Sequence, residues 1–225
     1  MLIINKAKMN EFSFIELNRV ISLLEKEIIE FNLNGFNGLI IEDDNMFPNS
    51  SDGRMINKTI LLPKNRTEEN LRYANYKVKS TIYHELCHVD LSNKLPNIHE
   101  EYNKSLEKEN YVKAFTIHTY IEYITHIKSI KFESEKSIDE FIQSVNNKKW
   151  NFSSNEDDIY MVKAAPYIIA RNYDLSRIEN QNLKNRLFRI KSELERLEKI
   201  RIEDDYVELF NLEKIIKQYI RNEEI

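Results

Sequence analysis

His84, Glu85 and His88, in the run His84-Glu-Leu-Cys-His88, are the residues whose types and spacing are suited to chemistry. On a helix, positions i and i+4 share a face, so both imidazoles reach one metal ion while Glu85 sits beside them. Two neutral imidazoles suit zinc, and the adjacent carboxylate suits a general base acting on a zinc-activated water. The neighbours Ile82, Leu86, Cys87 and Val89 are uncharged, as a helix packed beneath a metal site requires. Cys87 points away from the metal face and reads as a small core residue. Asp90 is the one charged flank, and its position two residues after His88 leads us to expect it in solvent.

A catalytic zinc takes three protein ligands and keeps one position open. Leu91 and Lys94 stand where the metzincin spacing has a Gly and a third His, so the third ligand must come from further along. Glu122 is the best candidate. Its neighbours are Phe115, Tyr120, Ile121, Tyr123 and Ile124, and a carboxylate buried among them is costly unless neutralised or paired. A divalent metal is a sufficient partner. His118, Glu122 and His126 fall at i, i+4 and i+8 on one helical stripe.

The elements that must position these residues are legible in the apolar pattern. Residues 2–4 form a short strand or the lead-in to a helix, and 11–31 keep helical spacing until the Asn- and Gly-containing stretch 32–38 breaks them. Residues 39–42 and 55–62 read as strands, with a loop over 43–53 and Pro63 closing the second strand. That second strand is expected at the sheet edge over the site, where an extended substrate pairs with backbone. Thr67 reads as the N-cap of one helix running to about Leu91 and carrying the motif, followed by a polar stretch over 92–110, interrupted by Pro96, that reads as a loop with at most one short helical piece. Residues 111–128 suit a buried helix. Beyond 131, residues 137–145 form a short amphipathic piece, 157–173 a helix kinked at Pro166 or two shorter ones, and 175–200 and 204–220 charged helical arms. The expected fold is α+β, a small sheet packed on the motif helix and a mainly helical C-terminal part, with domains at 1–131 and 132–225.

Composition limits the alternatives. A formal net charge of −4 over 225 residues gives no global basic character, which argues against nucleic acid and against an anionic membrane surface. No run of apolar residues is long enough to span a membrane, and the first residues lack the features of a signal peptide. The single cysteine forms no internal disulfide. The expected setting is a reducing, cytoplasmic one.

The runs Tyr83-His-Glu-Leu-Cys-His-Val89 and Tyr120-Ile-Glu-Tyr-Ile-Thr125 resemble the gluzincin type of zinc metallopeptidase. The likeness covers about residues 38–130 and is nearest to small, cytoplasmic, bacterial or phage-associated members, similar to the ImmA/IrrE-like group in broad outline. Thr125 fits the small-residue position three after the ligand Glu. His126 stands where thermolysin-like members have an Asp. The resemblance implies peptide-bond hydrolysis with zinc as cofactor, His84, His88 and Glu122 as ligands, Glu85 as general base and a zincin-like sheet. His118, His126, Tyr167 and Tyr173 remain alternatives for the oxyanion donor. A protein or peptide is the expected substrate, with a possible protein partner on the C-terminal helices. Two other readings stand beside this one: a catalytically inactive zincin scaffold serving interaction, and a phage- or toxin-associated accessory factor.

Overall fold

The computed structural model describes residues 1–47, 52–152, 155–172, 174–200 and 202–220. The fold is α+β, with one small mixed sheet and a large majority of helix. Contacts divide the chain into two compact units, residues 1–94 with 128–134, and residues 95–127 with 135–225. This partition follows packing, whereas the sequence division at 131 separates the motif-bearing elements from the helices after them.

The first unit holds the sheet. Strands β1 (Ile3–Asn5), β2 (Gly38–Glu42), β3 (Arg54–Ile56) and β4 (Thr59–Pro63) lie in the order β1-β2-β4-β3. β2 is parallel to both β1 and β4, while β3 returns antiparallel on β4. Helix α1 (Glu11–Glu25) joins β1 to β2, and the Asn10 side chain accepts from Ser13 N at 2.9 Å to cap it. α1 turns Leu17, Val20 and Leu24 inward against Leu39, Ile41, Ile60 and Leu62 of the sheet.

The strand expected over 55–62 is a hairpin. Asn57 and Lys58 both take positive φ, 48° and 55°, the backbone of a tight two-residue turn whose twist matches the strands. Lys is an unusual occupant of that position, which is why the run reads as one continuous strand. β4 therefore pairs on both sides, and β3 takes the edge position expected of the whole segment.

The single helix expected from Thr67 to Leu91 is two, α2 (Lys64–Tyr73) and α3 (Asn75–Lys94), separated at Ala74 with φ −157° and ψ 55°. Thr67 is not the cap. The Asp44 carboxylate, from a 3-10 turn over Asp44–Met46, accepts from Asn65 N at 2.7 Å and Arg66 N at 3.3 Å. A carboxylate distant in sequence thus satisfies the exposed N–H groups and starts α2 four residues early.

Asp90 is fully buried, contrary to the solvent position expected for it. Its carboxylate accepts from Asn32 N at 2.7 Å and from Lys94 Nζ at 2.8 Å, with Lys128 Nζ at 3.8 Å. It ties the turn after α1 to the end of α3.

The second unit is helical. α4 (Pro96–Glu107) is longer than the short helical piece expected within that loop. Pro96 occupies the first turn, where its missing N–H costs nothing, and Asp204 accepts from Asn97 N and Ile98 N, both at 3.0 Å. α5 (Tyr111–Ser129) is one uninterrupted helix whose last two residues belong to the first unit. α6 (Glu135–Asn147), α7 (Asn155–Arg171) and α8 (Gln181–Ile200) follow, and α7 continues through Pro166 without division. α8 begins later than residue 175 because Asn180 caps it, accepting from Leu183 N at 3.0 Å. The last expected arm is a 3-10 turn, Tyr206–Leu209, and a short α9 (Phe210–Lys217). Ile117, Ile142, Ile168, Leu187 and Leu194 are among the residues filling this unit's core. Among the described residues no helix is long and apolar enough to cross a membrane.

Replacing Asp90 with Ala leaves the Asn32 N–H and the pocket around it without the carboxylate. We expect a loss of about 2 kcal/mol, read as a lower midpoint in urea with an unchanged slope; a change within error would mean the bond is dispensable.

Candidate metal centre

α3 is covered on most of its circumference. Ile82 and Leu86 enter the core of the first unit, and Tyr83 packs between the rings of Phe31 and Phe132 at 5.4 and 4.9 Å. Gly53 allows the chain beside β3 to approach this helix closely. A Cβ there would lie 2.7 Å from Thr81 Cγ2 and 3.0 Å from Leu62 Cδ2, so only Gly fits without movement. The remaining stripe carries His84 and His88, each half-buried, while Glu85 beside them is buried.

One helical turn apart, the two imidazoles bring their Nε2 atoms to 3.0 Å, with ring centroids at 4.7 Å and planes at 77°. Tetrahedral zinc with Zn–N bonds of about 2.0–2.1 Å separates two ligand nitrogens by about 3.3 Å. Only a small adjustment separates the observed pair from that spacing.

α5 carries Glu122 with little exposure, flanked one turn either way by histidines. His118 Nδ1 lies 3.9 Å from Glu122 Oε1, and His126 Nε2 lies 3.4 Å from Oε2. The Thr125 hydroxyl donates to the Glu122 carbonyl at 2.9 Å. Thr125 is buried and so is His126, whose ring meets that of Tyr167 at 4.0 Å. Tyr173 lies outside the described residues. His99 belongs to α4, with Nδ1 3.3 Å from the Leu95 carbonyl, and takes no part in this stripe.

His84, His88 and Glu122 each offer one ligand atom, and these atoms all lie within 4.8 Å of one another. Two nitrogens and one carboxylate oxygen match the donor set that a three-ligand zinc site with one open position uses. The residues present fit the group.

Cys87 stands apart from it. The side chain is fully buried in the core, burial pushes its thiol up to about 12, and it is not among the residues whose ligand atoms converge.

The structure adds a neighbourhood that the sequence pattern does not reveal. Tyr102 and Leu106 of α4, Ala114, Phe115 and His118 of α5, and Tyr167 of α7 line a cleft of about 540 Å³. Tyr102 is the residue here that sequence reasoning passes over. Burial, and secondarily the Glu122 charge, push its phenol above the ordinary tyrosine value, so it remains a hydrogen-bond donor. The overlooked signal is Pro96, which opens a helix here rather than interrupting one.

No protein family, curated protein or solved structure matches the chain.

In the folded protein Cys87 should resist a thiol reagent at pH 8 and react stoichiometrically once urea unfolds the chain. Rapid labelling under native conditions would contradict its burial.

Proposed function

We propose that the protein is a zinc-dependent metallopeptidase of the gluzincin type, acting on a protein or peptide in the cytoplasm. The observation that carries this reading is the convergence of His84, His88 and Glu122 ligand atoms within 4.8 Å, with Glu85 next to His84 in the same helix.

His84, His88 and Glu122 hold the metal. When bound, zinc supplies a Lewis acid that acidifies a water and polarises the scissile carbonyl. Glu85 accepts one proton from the attacking water as its oxygen bonds to the carbonyl carbon. It then delivers that proton to the departing amine nitrogen as the C–N bond breaks, so the carboxylate ends the cycle as it began. Its burial keeps bulk water from competing for that proton. His118 and His126 stand on either side of the Glu122 carboxylate, at 3.9 and 3.4 Å from its two oxygens, where polar groups behind a metal ligand commonly lie.

Purified protein should contain about one equivalent of zinc by elemental analysis. His88→Ala should lose it, and Glu122→Ala should weaken binding by more than about 100-fold, beyond the usual effect of an outer-sphere change. Full occupancy in Glu122→Ala removes that residue from the ligand set. Zinc should also leave on acidification, because protons compete for the imidazole lone pairs that the metal needs. Glu85→Gln should retain zinc and lower hydrolysis of a peptide mixture by about 10²–10⁴-fold. Undiminished hydrolysis by that variant would eliminate the mechanism.

A further inference from the structure

The cleft beside Glu122 has the character of a recognition site. Its volume of about 540 Å³ falls within the range of about 300–1,000 Å³ common for small-ligand pockets. Carbon dominates its walls, which Tyr102, Tyr111, Phe115 and Tyr167 line together with Leu106 and Ala114. Leu106 is 45% exposed, an apolar group left at the rim with water on one side. Burying such surfaces against an apolar side chain is favourable by about 25 cal/mol per Å².

Polar groups enter at two points. His118 lines the cleft and stands 3.9 Å from the Glu122 carboxylate, so the cleft adjoins the residue assigned to the metal. Lys163 supplies the second. It is exposed, lines the same cleft, and holds its Nζ 5.1 Å from the centre of the Phe115 ring. Among the described residues no carboxylate lies within ion-pair distance of it. An ammonium anchored on an aromatic wall, its apolar stem along the cleft, complements an anionic group entering with an apolar one.

We propose that this cleft binds an aromatic or large aliphatic side chain of the substrate, with a substrate carboxylate against Lys163. The inference rests on the peptidase reading of the adjoining site and deepens it to a substrate class: peptides pairing a bulky apolar residue with a nearby carboxylate.

The test measures binding to zinc-loaded Glu85→Gln protein by calorimetry, with N-acetyl-L-phenylalanine, its amide and N-acetyl-L-alanine as probes. The phenylalanine acid should bind at least about tenfold more tightly than the alanine acid. Its amide should bind about two- to fivefold more weakly than the acid, the scale of an exposed ion pair. Lys163→Gln should abolish that difference, and Ala114→Leu should weaken phenylalanine binding at least about fivefold. N-acetyl-Phe-Asp-amide separates the two sources of the carboxylate: affinity equal to the acid assigns it to a neighbouring acidic side chain, and affinity equal to the amide assigns it to a chain terminus. Equal affinity for the phenylalanine and alanine acids overturns the proposal without recourse to any cleft variant. So does an acid-over-amide preference that survives Lys163→Gln, since the carboxylate would then be held by the metal. Glu85→Gln binds without turnover, so a peptidase reading that fails in hydrolysis leaves these affinities measurable. Flat affinities alongside intact hydrolysis by the unaltered protein refute the cleft alone.

Discussion

Two imidazole nitrogens held 3.0 Å apart on successive turns of α3 impose the condition that the surrounding structure answers. In this half-buried setting one ring donates its N–H to the other's lone pair, or both lone pairs meet a common cation. The i, i+4 spacing creates that condition and the burial of the helix sharpens it. Ile82, Leu86, Cys87 and Val89 are buried, so α3 cannot rotate to carry His84 and His88 into open water without exposing apolar surface. Rigidity of the donor pair is thus a property of the core beneath it.

The same helix shows how a polar residue is kept in such a core. Asp90 departs from the apolar character of the motif's flanks, yet it is fully buried because Asn32 N–H and Lys94 meet its oxygens. A carboxylate can serve as an internal tie when donors converge on it. Asp44 and Asp204 act similarly at the starts of α2 and α4. In each case one acid distant in sequence satisfies backbone N–H groups that the helix itself leaves open. These ties define where α2 and α4 begin, and α4 carries Tyr102 to the cleft.

On the proposed peptidase reading, the cleft and the donor set divide the work between binding and reaction. Glu85, His84, His88 and Glu122 form the group suited to activating water and moving a proton, and they say little about what is bound. Tyr102, Phe115, Tyr167 and Lys163 line a concave surface whose shape and charge say little about the reaction. His118 belongs to both, lining the cleft and facing the Glu122 carboxylate.

By itself the sequence determined the local facts. Helical periodicity is set by covalent geometry and backbone hydrogen bonding, so His84 and His88 had to share a face, and Glu122 had to stand between His118 and His126 on another helix. Burial of Glu122 among aromatic neighbours and of Cys87 beneath the motif were legible for the same reason, as was the α+β class. Tertiary structure alone decided whatever depends on groups far apart in the chain. The hairpin at Asn57 and Lys58, the break at Ala74, the capping of α2 and α4 by Asp44 and Asp204, the burial of Asp90 and the cleft around Tyr102 all arise this way. None leaves a periodic trace, because each is stabilised by a partner that the local pattern does not contain.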